Sequence, residues 1–329
     1  MIRICRRETV RPAEGRQGDI APRALNPDPP FVVGANLPWL QYGCDFGANA
    51  WQPEGGVARP DRRERLDLTL ARLADNGLSI LRWFLLCDGR AGVRFAHDGT
   101  ATGLDDWFWR DLEAGVEAAR RHRLSVAFVL FDFWWWRRRR RVAGVACGGH
   151  RRAATRGTRR DGLIDHVVAP ILARCGSDPA IAAWDIVNEP EWVTLGYGTA
   201  NPLASVLPSA MRDFIGQCAA RVHQEARHPA TVGLASWRGL KLVKELGLDI
   251  YQVHWYDRLD RRAPLDAPIP RTLDRPVWLG EFPTAGSSRT VPQILETARA
   301  AGYAAALGWS AEAGARWSSG PALHAATRP

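Results

Sequence analysis

The 329 residues, 46% of them hydrophobic and 24% charged, are typical of a soluble globular protein with one large domain or two small ones. A net charge of +9 suggests nucleic acid as a partner, yet only two of the 44 basic residues are lysines, Lys241 and Lys244. We attribute this arginine preference to codon bias in a GC-rich genome, and we expect no nucleic-acid binding.

The N-terminal segment does not have the pattern of a targeting signal. Residues 1 to 30 are rich in Arg, Pro and Gly without periodicity, which predicts a flexible tail. They contain no apolar core of signal-peptide length, and no later run approaches a membrane span. We therefore expect a cytoplasmic protein without a membrane partner, although a misassigned start codon would hide a secretion leader.

From residue 31 onwards the sequence predicts eight strands. Each is a short run rich in β-branched or aromatic residues and apolar nearly throughout, as is typical of parallel strands covered on both faces. The runs are 31 to 36, 79 to 86, 124 to 133, 181 to 189, 230 to 236, 249 to 256, 276 to 281 and 303 to 310.

Amphipathic helices are predicted between the strands. In the clearest, 61 to 76, Leu66, Leu70 and Leu73 share one face, and Gly77 is placed to end the helix. The others are 105 to 122, 161 to 175, 208 to 227, 239 to 246 and 291 to 301. The alternation predicts a single (β/α)8 TIM barrel over residues 31 to 329. A doubly wound sheet also alternates, but the chain has no G-x-G-x-x-G turn.

Two of the predicted strands end in glutamates. The run 181 to 189 is largely apolar until Asn188 and Glu189, and the run 276 to 281 ends in Glu281. The active site of a TIM barrel lies at the C-terminal ends of its strands, so these two acids should face each other across one bowl. Enzymes that hydrolyse glycosidic bonds typically use two carboxylates on opposite sides of a substrate-sized gap.

Other strand ends supply polar partners for these acids. Arg82 lies on the second predicted strand, and Tyr256 on the sixth. A Tyr or Arg beside Glu281 would keep that carboxyl ionised. Glu189 has fewer such partners and an aromatic surrounding, so we expect its pKa to be raised and the residue to donate a proton.

The motifs, taken in order, resemble those of clan A retaining glycoside hydrolases. Family 5, the cellulase and mannanase family, is the most similar. The resemblance covers about residues 31 to 310. It rests on W-x-x-x-N-E-P at 184 to 190, H-x-Y at 254 to 256, G-E at 280 to 281 and a tryptophan at 309.

This resemblance implies roles for individual residues. Glu189 would be the acid/base and Glu281 the nucleophile. Asn188 would bond the sugar 2-hydroxyl, while Tyr256 and Arg82 would orient the nucleophile. Trp309 would form the platform under the sugar, and His254 would line the pocket.

The chain departs from the family pattern in two places. Family 5 enzymes usually carry a histidine near the end of the third strand, where this chain has "FDFWWW" with Asp132. The subfamily and the sugar are therefore left open. After Trp309 only twenty residues remain, which is short for a full eighth helix, so we expect imperfect closure of the barrel or help from the N-terminal tail.

Three further tryptophans, Trp39, Trp134 and Trp192, are candidates for stacking on sugars. The segment "RRRRR", 137 to 141, falls on the long loop after the third strand. Two interpretations stay open for it: a solvated, partly disordered loop, or a lid that attracts an acidic saccharide.

We therefore predict a retaining glycoside hydrolase that cleaves β-glycosidic bonds in a mannan-like or glucan-like carbohydrate with two glutamates. We expect no cofactor, no metal and a monomer. Two alternatives remain: a transglycosylase with the same residues, and a carbohydrate-binding barrel without turnover.

Overall fold

The computed structural model of the chain describes residues 31–155, 157–312 and 317–327. The predicted flexible tail, residues 1 to 30, lies outside the described residues. Within the described part the chain forms twelve strands. In chain order they are β1 (Val32–Asn36), β2 (Ile80–Phe84), β3 (Val93–Phe95), β4 (Ala101–Leu104), β5 (Ser125–Asp132), β6 (Arg140–Val142), β7 (Val145–Cys147), β8 (Ile181–Asn188), β9 (Ala230–Leu234), β10 (Tyr251–His254), β11 (Val277–Pro283) and β12 (Ala305–Trp309).

Eight of these strands form a closed barrel in which neighbouring strands are parallel. Their order around the barrel is β1, β2, β5, β8, β9, β10, β11, β12. They coincide with the eight predicted runs, so the TIM-barrel prediction is confirmed. Strands β1 and β12 pair along their full length, from Val32 with Ala305 to Asn36 with Trp309. The expected imperfect closure is therefore wrong: the short C-terminal segment does not leave the barrel open.

Helices cover the outside of the barrel. Leu66, Leu70 and Leu73 of the first helix are buried, as their spacing predicts, and the left-handed Gly77 follows its end. The helices in the described residues are α1 (Pro60–Asp75), α2 (Asp106–Arg121), α3 (Arg152–Thr155), α4 (Gly157–Leu163), α5 (Ala169–Cys175), α6 (Pro208–Glu225), α7 (Leu240–Val243), α8 (Val291–Ala301) and α9 (Gly320–Thr327).

Two helix predictions differ from the structure in extent. The helix predicted for 161 to 175 begins earlier, at Gly157, and a π-helical turn, Ile164–Val168, joins α4 to α5. The helix predicted for 239 to 246 is a single turn, Leu240–Val243. It ends early because Lys244 leaves the helical region, with ψ at 138°, and Glu245 and Gly247 then adopt positive φ, at 67° and 75°.

Two small antiparallel hairpins, β3–β4 and β6–β7, were not predicted. Strands of three or four residues are too short to show a period of two. The second hairpin contains Arg140 and Arg141, so the expected partly disordered loop is wrong here, although both side chains are exposed. The guanidinium groups of Arg137 and Arg140 lie 5.2 and 4.5 Å from the ring of Trp134. Two arginines of the run thus pack against the ring of Trp134.

None of the helices in the described residues is long and apolar enough to cross a membrane. The cytoplasmic location stays a prediction.

Candidate active site

A pocket of ≈ 300 Å³ opens at the C-terminal end of the barrel. Three of the ten predicted site residues do not line it: Arg82 and His254 are buried beside it, and Trp192 contacts Glu189 from the neighbouring groove. The seven that do are Trp39, Trp134, Asn188, Glu189, Tyr256, Glu281 and Trp309. The barrel therefore brings the predicted residues together in one place.

Glu189 directly follows β8 with a left-handed backbone, φ 47° and ψ 52°. This conformation is uncommon outside glycine, and it turns the chain sharply out of the strand. One carboxylate oxygen, Oε1, lies 3.0 Å from His254 Nδ1, and the other, Oε2, accepts a 2.7 Å hydrogen bond from Trp192 Nε1. Neither partner is a Tyr or an Arg, as the sequence predicted, but both oxygens are engaged.

Glu281 lies inside β11 and is also buried. Its Oε1 accepts a 2.9 Å hydrogen bond from Arg82 Nη1, and its Oε2 accepts a 2.8 Å hydrogen bond from the Tyr256 hydroxyl. These are the two partners that the sequence predicted for it. One positive charge and one hydroxyl thus fix the orientation of this carboxylate.

Arg82 is fully buried and is the centre of a polar network inside the barrel mouth. Its Nη2 and Nε donate to Asp185 Oδ2 at 2.8 and 3.0 Å, Nη1 donates to Asn36 Oδ1 at 3.0 Å, and Nη2 also reaches Asn188 Oδ1 at 2.8 Å. With Glu281, the guanidinium therefore has two carboxylate partners. These hydrogen bonds fix the position of the buried guanidinium. The guanidinium in turn fixes the side chains that accept its hydrogen bonds.

His254 lies between the two glutamates. Its Nδ1 is 3.0 Å from Glu189 Oε1 and 3.5 Å from Glu281 Oε2, and the three donor atoms lie within 4.8 Å of one another. Two carboxylates and an imidazole at this distance can share protons. The same three side chains are also chemically able to ligate a divalent cation.

The surroundings act differently on the pKa values of the two acids. Burial works to raise the pKa of Glu189, but the hydrogen bond and charge of His254, the hydrogen bond from Trp192 and the charge of Arg82 together lower that pKa. Burial raises the pKa of Glu281, against the charges of His254 and Arg82, which lower it. The surroundings thus lower the pKa of Glu189 and raise that of Glu281, the reverse of the directions that the sequence predicted.

Known proteins provide an independent comparison. No family model matches the chain. The mannan endo-1,4-beta-mannosidase of Mytilus edulis is 26% identical over 324 residues, which cover 85% of this chain and 83% of that protein. The crystal structure of an endo-1,4-beta-mannanase from Eisenia fetida is similar at a TM-score of 0.76 and 23% identity, over 90% of both chains. A family 5, subfamily 18 protein of Streptomyces cattleya, in complex with Manβ1-4GlcNAc, is similar at a TM-score of 0.60 and 14% identity, over 91% of this chain and 76% of that one.

The likeness to the mussel protein extends over most of both chains, and the strand-end motifs of this chain are those of the same clan. The chain is a glycoside hydrolase that is similar to those of clan A and its family 5. It is therefore an enzyme that hydrolyses glycosidic bonds, and its substrate is a carbohydrate.

In this glycoside hydrolase, Asp132 takes the place of the histidine that the family pattern predicts at the end of β5. Its Oδ1 accepts a 3.2 Å hydrogen bond from Asn188 Nδ2, and the Tyr42 hydroxyl donates to its Oδ2 at 3.4 Å. Asp132 and Arg82 thus hold the two ends of the Asn188 amide. Burial raises the pKa of Asp132 to about 8, and the charge of Glu189 adds to the rise. This pocket wall therefore carries a neutral carboxylic acid at neutral pH.

Asp132→Asn should stabilise the hydrolase, and more so at pH 8 than at pH 5. In the unfolded chain an aspartate ionises near pH 4, whereas the folded chain keeps this proton until about pH 8. Stability is therefore lost as the pH rises through that window, and asparagine removes the loss. Calorimetry should show a gain in Tm that is larger at pH 8 than at pH 5 by roughly 5 °C.

Asp266→Asn serves as the control, because Asp266 is exposed. Its effect on Tm should not depend on pH. An equal gain in Tm for Asp132→Asn at both pH values would show that Asp132 is already ionised at pH 5.

Aromatic side chains form the walls of the pocket. Trp39 meets Trp309 edge-on, with ring centroids 6.1 Å apart, and Trp134 stacks on Phe133 at 5.3 Å. The neighbouring Trp135 and Trp136 are buried instead. The lining residues that the sequence analysis did not single out are Tyr42, Phe84, Phe133, Arg258 and Trp317.

Three polar residues behind the pocket were also missed: Asn36, Asp185 and Gln252. Gln252 Nε2 donates to Asp185 Oδ2 at 2.6 Å, and Asn36 Nδ2 donates to the Gly280 carbonyl at 2.9 Å. A signal was present, because each is a polar residue in a largely apolar strand run. Such a residue needs a buried partner, and Arg82 provides one directly or through its neighbour.

Proposed function

We propose that this glycoside hydrolase is an endo-acting β-1,4-mannanase that retains the anomeric configuration. The observation that carries the mechanism is the pair Glu189 and Glu281 on facing strand ends, with a donor atom of each within 4.8 Å of the other. Carboxyl groups about 5 to 5.5 Å apart are typical of retaining enzymes, whereas inverting enzymes leave roughly 6.5 to 9.5 Å for a water. The mannanase activity of the relatives supports the choice of substrate.

In the first step, Glu281 attacks the anomeric carbon of the sugar. A bond forms between that carbon and a Glu281 carboxylate oxygen, while the bond to the glycosidic oxygen breaks. Glu189 gives its proton to the departing oxygen, so the leaving chain departs as a neutral alcohol. The product of this step is a glycosyl ester of Glu281.

In the second step, Glu189 acts as the base. It takes a proton from a water molecule, whose oxygen attacks the anomeric carbon and breaks the ester bond to Glu281. Two inversions give net retention. Glu281 leaves as a carboxylate, and Glu189 is protonated again.

His254 is proposed to set the proton distribution before the first step. The reaction needs the proton on Glu189 and the charge on Glu281, whereas the protein surroundings lower the pKa of Glu189 and raise that of Glu281. Positive charge develops at the anomeric carbon beside Glu281, and this favours the ionised form of that residue. His254 Nδ1, within 3.5 Å of both acids, gives the proton a short route to Glu189.

The remaining residues are proposed to bind and orient the sugar. Asn188, fixed at both amide atoms, would present its NH₂ group to the 2-hydroxyl. Trp309 would lie under the ring at the cleaved bond, with Trp39 and Trp134 as stacking surfaces on either side. Trp192 would hold Glu189 in place. All of these groups come from one chain, so we also propose that the monomer is active.

A polysaccharide panel with product sizing tests this proposal. Linear β-1,4-mannan should be cut into mannobiose and longer fragments, at least tenfold faster than cellulose or xylan. Faster release from cellulose would reject mannan as the substrate. Products longer than the starting oligosaccharide would instead show the transglycosylase that the sequence left open.

A further inference from the structure

A second cavity, of ≈ 660 Å³, adjoins the catalytic pocket. We call it the arginine groove, after the four arginines that line it: Arg238, Arg258, Arg261 and Arg262. Arg258 lines both cavities, so the two are neighbours. Three aromatic side chains also line the groove: Trp192, Tyr197 and Trp237.

The groove lies on the side of the leaving group. Trp192, one of its walls, donates the 2.7 Å hydrogen bond to Glu189, the residue proposed to protonate the departing oxygen. The sugars beyond that oxygen must therefore leave the pocket past Glu189 and Trp192. The three aromatic rings of the groove offer flat apolar surfaces for such sugars.

The positive charge of the groove is not neutralised by the protein. All four arginines are exposed, and none forms an ion pair with an acid of the described residues. Two acids on the same loop are engaged elsewhere, Asp260 with Arg289 and Asp257 with Ser288. Other exposed arginines of the described residues also lack an acid partner, as Arg110 and Arg299 do. The groove differs from those sites because four such arginines line one cavity together with three aromatic rings.

The groove also contains a buried acid, Glu191, which is 5% exposed. No side chain donates to its carboxyl oxygens, and the groups beside them are the backbone N–H of Ala235 and its own backbone N–H. Gly239 leaves room for it, since a Cβ there would come within 2.0 Å of Glu191 Oε1. Burial raises the pKa of Glu191 to about 7, so that it is often neutral and able to donate. A buried carboxyl that no side chain satisfies can still bond a sugar hydroxyl in the groove.

We propose that the arginine groove binds an acidic sugar residue on the leaving-group side of the cleaved bond. Arginines at the rim would bind the anionic substituent, which is a carboxylate in a uronic acid or a sulfate ester. The aromatic rings would take the sugar face, and Glu191 would bond a hydroxyl. This inference rests on the proposed roles of Glu189 and Glu281, because these decide which side the leaving group occupies.

Calorimetric titration of the wild-type protein with three trisaccharides tests the proposal. The probes are β-1,4-linked mannotriose, its uronic acid analogue (β-1,4-linked mannuronate trisaccharide) and mannotriose carrying a sulfate ester. At low salt, at least one acidic probe should bind about tenfold more tightly than the neutral one. Whether the carboxylate or the sulfate is preferred identifies the anion. Equal affinity for all three would overturn the proposal.

Matched variants locate the effect. The triple variant Arg238→Ser, Arg261→Ser, Arg262→Ser should bind acidic and neutral probes alike. The control removes three exposed arginines from the second hairpin region instead: Arg138→Ser, Arg139→Ser and Arg141→Ser. It should keep the preference for the acidic probe. If the control lost the preference and the groove variant kept it, the groove would be the wrong site.

Turnover of an aryl β-mannobioside separates this inference from the proposed function. Its small leaving group does not need the groove, so the measurement reports on the catalytic pair and on folding. No turnover by the wild type would reject the mannanase proposal. Preferential binding of an acidic probe that disappears in the groove variant would still identify an anion site.

Discussion

Glu281→Gly should lower the turnover of mannan and of activated aryl mannosides alike by several orders of magnitude. Without this carboxylate no glycosyl ester can form, whatever the leaving group. Azide should restore part of the activity by attacking from the vacated face, and the product should be a glycosyl azide of inverted configuration. Steady-state kinetics and NMR of the product measure both effects.

Glu189→Ala should behave differently with the two kinds of substrate. Turnover of mannan should fall about 10²- to 10⁴-fold, because the departing oxygen is no longer protonated. A dinitrophenyl glycoside needs no proton and should still form the ester, which then accumulates because no base activates water. Azide, which needs no deprotonation, should release a product of retained configuration.

The two variants serve as each other's control. Inverted product from Glu189→Ala together with retained product from Glu281→Gly would mean that the roles are exchanged. Unchanged mannan hydrolysis in both would remove the glutamate pair from the mechanism.

Arg82→Met should destabilise the fold and abolish activity. The guanidinium is fully buried between Asp185 and Glu281, and its removal leaves two buried carboxylates without their cation. Breaking a buried ion pair from one side costs about 3 to 5 kcal/mol. The free energy of unfolding, measured with a denaturant, should fall by that amount, and kcat/KM should fall with it.

A double variant separates the structural part of this effect from the catalytic part. Adding Asp185→Asn to Arg82→Met removes the deepest unpaired charge and should recover part of the lost stability. Activity should not return, because Glu281 still lacks the donor at 2.9 Å. If Arg82→Met unfolded at the wild-type denaturant concentration, the network around Arg82 would contribute little to the fold.

The barrel could be predicted from sequence because buried parallel strands are apolar on both faces, so eight such runs stand out. The proposed catalytic pair was selected by the same pattern, because Glu189 and Glu281 end two of the predicted runs. The two hairpins could not be predicted, because their strands are too short to carry a pattern. The burial of Trp135 and Trp136 could not be predicted either. These residues lie on a 3₁₀ turn and not on a strand, and the turn sets the direction of their side chains.

The partners of Glu189 show where reasoning from the sequence fails. Trp192 is only three residues away, but the contact depends on the left-handed backbone at Glu189. His254 reaches Glu189 from a strand 65 residues later in the chain, at a distance set by the stagger of the barrel. No local pattern predicts either contact, and both change the pKa of the acid/base.

Trapping of the covalent intermediate tests the central claim most directly. A mannobiosyl fluoride with fluorine at C2 forms the glycosyl ester but releases it slowly, because the fluorine destabilises the positive charge of both transition states. Peptide mass spectrometry should then find the sugar on Glu281 and on no other carboxylate. A label on Glu189, or an enzyme that turns over mannan but never carries a label, would contradict the account.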